Sequence, residues 1–252
     1  GDDPSLPMWM VFTEGDRNYL GFPNYSQTCV SALNGVVLIG RDNTNSTHSG
    51  LRITNFAADK GRVVINGVFN AFISGGIANR NSNGSTVTDK SDTTSLVSIT
   101  VNDVAMTVLP DAPIDPATGL QIPTIAVGCG VSGQANGGTS IIHNDGTVVD
   151  IVASSGAGGY ACFDLAFGPN NELVTSQSYN RGYTSIHVFD KLPTTDIPST
   201  STPIGARSYG YQDAAPSVRG TLVQSPLLFD ISKDRDVISF AFNDKLSRLF
   251  EN

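Results

Sequence analysis

Histidine and glutamate are scarce in this chain. Its 252 residues hold three of each: His48, His143 and His187, and Glu14, Glu172 and Glu251. Three scattered histidines leave no multi-histidine zinc or iron centre. No GxSxG elbow sets a serine beside any of them. A glycoside hydrolase that takes its proton donor from glutamate has few to choose from. Cysteine is as rare. Cys29, Cys129 and Cys162 are odd in number, widely spaced and without CxxC or Cys/His metal spacing. Each sits in an apolar run, which reads as three buried free thiols, with one disulfide as the alternative. No apolar stretch reaches the ~18 residues of a membrane-spanning helix, and no cleavable signal is recognisable. The opening GDDPSLP suits a piece of a longer protein. Positive charge is also short: 15 Lys and Arg stand against 23 Asp and Glu, for a net charge of −8. That excludes the electrostatic footprint of a nucleic-acid binder and a basic amphipathic membrane segment.

What the chain does have is turns. Gly 26 and Pro 13 are spread along its length, as many short strands require. Cys29–Leu33 and Val36–Ile39 flank Asn34-Gly35, a tight-hairpin signal. Leu51, Ile53 and Asn55 alternate with Arg52 and Thr54, predicting a strand with one buried face. Asp59–Gly61 reads as the turn into Val63–Val68. Residues 79–94 read as an exposed loop, and Leu96–Leu109 as two runs broken at Asn102-Asp103. Residues 110–122 read as a connection. TIAVGCG, GTSIIHNDG and TVVDIV then predict three strands from Thr124, with Asn144-Asp145-Gly146 as the last turn. Phe163–Phe167, Leu173–Gln177 and Ser185–Phe189 form the next set, turning first at Gly168–Asn171. Met8–Thr13 is an isolated strand candidate, with Trp9 as a core residue. Leu227–Phe250 makes a final unit; Phe242, Leu246, Leu249 and Phe250 also fit helical spacing capped by Asn243 or Asp244.

The sets share one grammar: apolar run, turn, short run, loop, alternating run. Their second strands centre near residues 38, 126, 174 and 239. Propeller blades take roughly 40–50 residues, so the long first gap hides a blade near 67–110. This predicts an all-β fold, a single β-propeller domain over 1–252. It has five blades, near 22–66, 67–110, 111–152, 153–200 and 201–252, the last closed by the N-terminal strand at 7–14. A β-sandwich and a short β-solenoid are the alternatives. FDLAFGPNNELVTSQ and the I-x-V-x-D ending of SIHVFD resemble propeller repeats of the NHL or YVTN kind. GTSIIHNDGTVVDIV resembles propeller-like domains in virion proteins of tailed bacteriophages. The resemblance implies a propeller and a virion or extracellular setting, such as a phage tail or receptor-binding component.

Chemistry is harder to find. Asp42, Asp164, Asp230 and Glu172 are candidate carboxylates for glycoside hydrolysis; the plainer reading is acids that bond backbone amides between blades. Asp230, Asp234 and Asp236, or Asp42, Asn43 and Asn45, supply oxygens but lack calcium-loop spacing. SSGAGG at 154–159 lacks the ending of a phosphate loop. No metal or cofactor is expected. Exposed tyrosines in loops suit sugar stacking: Tyr179, Arg181 and Tyr183 in one loop, Tyr209 and Tyr211 in another. The expected function is a non-enzymatic structural or recognition module within a larger assembly, with an oligomer as one option. Its partner is a protein or cell-surface glycan, not a nucleic acid or a membrane. A five-bladed glycoside hydrolase and a lectin are the rivals. Functional residues are expected in the loops 78–94, 177–184 and 200–222.

Overall fold

The computed structural model describes residues 27–41, 50–55, 60–64, 70–74, 86–90, 95–116, 118–131, 137–152, 161–179, 183–197 and 206–211. The predicted strand Met8–Thr13 and the last unit, with its helical alternative, lie outside them, as do residues 42–49.

Among the described residues the chain is all-β, without helix, and forms three antiparallel sheets. The first runs β1 (Gln27–Leu33), β2 (Val36–Arg41), β3 (Gly50–Asn55), β4 (Lys60–Val64), β5 (Asn70–Ser74) and β6 (Thr86–Lys90), in that order. The second is β7 (Val101–Thr107), β8 (Thr124–Cys129), β9 (Gly138–Ile142) and β10 (Val148–Val152). The third is β11 (Ala161–Phe167), β12 (Leu173–Tyr179), β13 (Tyr183–Phe189) and β14 (Ala206–Tyr211). Each sheet is a meander in which sequence neighbours pair.

The turns follow from residue chemistry. Asn34 and Gly35 both take positive φ, 50° and 77°, the twist a two-residue hairpin needs. At the β9–β10 turn Gly146 adopts φ 88°, and Asp145 Oδ1 accepts the Thr147 amide at 2.8 Å. The β11–β12 turn closes through Gly168 N–H to Glu172 O at 2.8 Å, with Asn171 at φ 65°.

Two apolar layers hold the sheets together. Val36, Leu38, Leu51 and Val64 of the first sheet meet Val101, Val104, Ile125, Val127 and Cys129 of the second. Ala126, Ile141 and Ile151 of the second meet Cys162, Leu165, Leu173 and Phe189 of the third. The second sheet is thus the middle layer. All six residues of β8 are buried, which is why TIAVGC is a continuous apolar run. Each fully buried leucine contributes roughly 2–3 kcal/mol. The edge strand β10 is covered by the segment after β13. Ile197 bridges Ile151 in parallel, and its N–H donates to Asp150 O at 2.9 Å.

Several expectations are corrected. Residues 79–94 contain β6, whose pairing with β5 organises a stretch too poor in hydrophobes to signal burial. Gly61 lies inside β4, opposite Thr54. β3 is buried on both faces: Arg52 and Thr54 are 2% and 1% exposed, beside Leu51 at 0%. Arg52 sits near Arg41, and burial, then that neighbouring charge, lowers its pKa to about 10. The stretch 67–110 forms no sheet of its own among the described residues: β5 and β6 extend the first sheet and β7 begins the second. Asn102-Asp103 is not a break between two runs. It lies within β7 at a β-bulge. Tyr209 and Tyr211 lie in strand β14 rather than in a loop.

Close approach of the first two sheets needs Gly40. A Cβ there would stand 2.3 Å from Cys29 Sγ and 2.5 Å from Val101 Cγ1. Gly40→Ala is expected to cost about 1–3 kcal/mol, read as a lower urea midpoint. Val30→Ala, at a side chain 70% exposed, is expected to change stability in the same titration by less than ~0.5 kcal/mol.

Candidate functional site: a carboxyl pair on aligned bulges

The first strands of the three sheets carry the same irregularity. The register shifts between Gln27 and Cys29 in β1, Val101 and Asp103 in β7, and Cys162 and Asp164 in β11. The extra residues are Thr28, Asn102 and Phe163. A bulge turns its extra side chain away from the ladder, and in two sheets that side chain reaches the next sheet. Thr28 Oγ1 donates to Val101 O at 2.6 Å. Asn102 Nδ2 donates to Cys162 O at 2.9 Å and to Gly130 O at 2.7 Å. The two acceptors on the next sheets, Val101 O and Cys162 O, occupy the same place in their strands. The residues opposite the bulges also match. Gly40 pairs with Cys29 and Gly128 with Asp103, and a Cβ on Gly128 would lie 3.1 Å from Cys162 O and Sγ. β7 therefore packs between β1 and β11 through one contact used twice.

The second of these seams carries two acids. Asp103 Oδ2 accepts the Leu165 amide at 2.9 Å. Asp164, half-buried on β11, lies beside Asp103 across the seam. Burial first, then the hydrogen bond and charge of Asp103, raise the Asp164 pKa to about 7, against the pull of the Leu165 amide. Glycosidase carboxyls stand about 5–9.5 Å apart, with the substrate or a water between them. The Thr107 hydroxyl also bonds Asn171 Oδ1 across this seam.

Other acids also bond backbone amides, and Glu172 does so within its own turn rather than between sheets. Glu172 accepts from Asn170 N and Nδ2 at 3.0 and 2.9 Å. Desolvation pushes its pKa up, and these bonds bring it below the usual range. Asp196 Oδ1 accepts the Asp150 amide at 2.9 Å. His143 Nε2 lies 3.0 Å from Pro193 O. His187 is buried opposite Thr175, and desolvation lowers its pKa to about 4. The three cysteines are free. Burial, the largest cause for each, raises Cys29 to about 11, Cys162 to about 12 and Cys129 well above its ordinary value, so their thiols are poor nucleophiles at neutral pH. Among the described residues no three His, Cys, Asp or Glu converge as metal ligands. No helix there is long and apolar enough to cross a membrane.

The tyrosines proposed to bind sugar are partly brought together. Tyr179 and Tyr183 are register partners across β12 and β13. Tyr209 pairs with Ile186 and Tyr211 with Thr184, positions that alternate with Tyr183. Arg181 lies outside the described residues, as do Asp42, His48, Asp230, Asp234 and Asp236. Asp103 was missed because Asn-Asp reads as a turn. Alignment would have found it: Thr28-Cys29-Val30-Ser31, Asn102-Asp103-Val104-Ala105, Phe163-Asp164-Leu165-Ala166 and Phe229-Asp230-Ile231-Ser232 share one pattern.

Removing the Asn102 amide leaves two carbonyls without their donor. Asn102→Ala is expected to cost about 2–3 kcal/mol and Thr28→Ala about 1 kcal/mol, both by chemical denaturation. His187 is held neutral in the fold but charges freely when unfolded. Its contribution is full above pH ~6.5 and is lost as pH falls towards the folded value near 4. His187→Leu is expected to remove that acid-side loss from a stability–pH profile. No family model matches the sequence, and neither a curated protein nor a solved structure matches it.

Proposed function

We propose that the chain is a β-propeller-type module that recognises or scaffolds and does not catalyse. Its setting would be the virion, as a phage tail or receptor-binding component, the setting its resemblance implies. The observation that carries this reading is the bulge seam used twice. Sheets joined to their successors by one repeated contact are the unit of a rotational array. Since β14 belongs to the third sheet, the pattern Phe229-Asp230-Ile231-Ser232 supports a further blade only from the residues after Tyr211, with 7–14 as its closing strand. A count of five blades needs one more unit than these.

The acids favour scaffolding over hydrolysis. Asp103 spends one carboxyl oxygen on the Leu165 amide of the next sheet, a structural use of the acid. Recognition then falls to the tyrosines of β12, β13 and β14. The partner favoured for them is a cell-surface glycan, since aromatic faces stack on sugar rings while hydroxyls stay hydrated.

On a glycan array the protein is expected to retain a defined set of sugars without releasing reducing ends. The Tyr209→Ala, Tyr211→Ala double variant is expected to weaken retention by about tenfold or more. Undiminished retention by that variant removes this site. Sugar release that disappears in Asp164→Asn replaces the reading with glycoside hydrolysis.

A further inference from the structure

We propose that the outer face of the third sheet is the seat of the chain's own last unit, Leu227–Phe250, held by a first-strand contact like those that join the earlier sheets. This seat rests on the propeller-type reading above and adds a register to it: Ile231 packs over Ala166, and Phe163 covers Leu228.

The stack has a direction. The backbones of the three sheets approach one another mainly along β1, β7 and β11. Sheets that meet along their first strands fan out around them, and such a fan adds each new sheet on the same side. At each seam the aliphatic residue two places after the bulge packs back on the preceding sheet. Val104 does so on the first sheet and Leu165 on the second. The extra residue of the bulge points the other way along the stack, as Thr28 and Asn102 do.

The third sheet is built for a successor. Its extra residue, Phe163, is 44% exposed, a large apolar ring where the earlier sheets place a donor. Leu165 and Phe167 pack on the core shared with the second sheet, so Ala166 between them faces outwards. Ala166 pairs with Val174, and Val174 with Val188, which puts all three on that face. Asp164, Ser176 and Ile186 form the next row of it. Val174, Ser176 and Val188 are 3%, 5% and 6% exposed, yet neither apolar core includes them. An outer face that is apolar and buried is a core-building face, not a solvent face.

The sequence points to the occupant. Outside the described residues, Asp230-Ile231-Ser232 is the one place where aspartate precedes leucine, isoleucine or valine and then serine or alanine. Asp103-Val104-Ala105 and Asp164-Leu165-Ala166 have that form. Ile231 takes the place of Val104 and Leu165, and Phe229 that of the extra residue. The unit Leu227–Phe250 is nearly as long as β11 to β13. Its fit accounts for two departures of the third sheet. Ser176 stands where β2 and β8 carry Gly40 and Gly128, so the next strand stays further off. Phe163 has no donor for the Leu228 carbonyl and fills that wider gap with apolar surface. The polar tie comes from Asp164. It takes the place of Asp103, whose Oδ2 accepts the Leu165 amide at 2.9 Å, and so meets the Ile231 amide. A carboxylate accepts several donors at once.

Methyl NMR on the whole chain tests the seat. A nuclear Overhauser contact between the Ile231 and Ala166 methyl groups is expected, because packed side chains approach within about 4.5 Å. Ile231→Asp is expected to raise relaxation by a soluble gadolinium chelate several-fold at the Val174 and Val188 methyls. Leu38 and Leu51, in the core between the first two sheets, are expected to stay shielded. Absence of the Ile231–Ala166 contact overturns the proposal, and so does unchanged shielding of Val174 and Val188 in Ile231→Asp. Should that variant not fold, the wild-type contact decides alone. In a mixture of labelled and unlabelled chains, a contact that arises only between chains overturns the proposal in favour of a second copy. Glycan retention without the contact removes the seat and leaves the recognition reading. The contact without retention removes the tyrosine site and leaves the seat.

Discussion

The bulge at the start of each sheet is the constraint on which the rest of the described structure depends. Sheets pack about 10 Å apart when side chains interdigitate normally. Here the first strands come closer, because Gly40 and Gly128 have no Cβ to hold the next strand away. The bulge then turns Thr28 and Asn102 out of their own ladders and onto carbonyls of the following sheet. A close backbone approach would strand those carbonyls without a donor, and a buried unpaired carbonyl costs about 1–3 kcal/mol. Glycine and bulge are therefore one device: the first creates the approach and the second satisfies it.

The two seams share this device but differ in what fills it. In the first, Cys29 stands opposite Gly40 and the packing is apolar. In the second, Asp103 takes that place and Asp164 the corresponding one on the third sheet. An apolar core flanks both seams, so Asp164 sits where desolvation acts on it. That is why Asp164 departs so far from an ordinary aspartate, while Asp145 in an exposed turn is lowered by the hydrogen bonds of Thr147. The same carboxylate chemistry serves a turn in one place and a sheet-to-sheet contact in the other.

Much of the strand pattern was legible. The Asn34-Gly35 and Asn144-Asp145-Gly146 turns, the run TIAVGC and the set from Ala161 to Phe189 stand where residue chemistry puts them. What misled was polarity. Residues 86–90 carry little apolar signal, yet backbone pairing with β5 makes them a strand. Arg52 and Thr54 read as a solvent face, yet β3 is covered on both sides. Of the candidate site, Asp164 was visible as one acid among four, and its partner was hidden in an apparent turn.

By itself the sequence determined the class: many short antiparallel strands, punctuated by turns whose residues accept positive φ. Such signals are local, since a hairpin depends on residues a few positions apart. Only the tertiary structure decided which acids meet. Asp103 and Asp164 lie in separate sheets, and nothing in either neighbourhood encodes the other. Asn102 and Asp103 have the hydrogen-bonding appetite of turn residues in any context. Whether they satisfy it within their own turn or across a seam depends on a strand some sixty residues away, brought close by a glycine on β8.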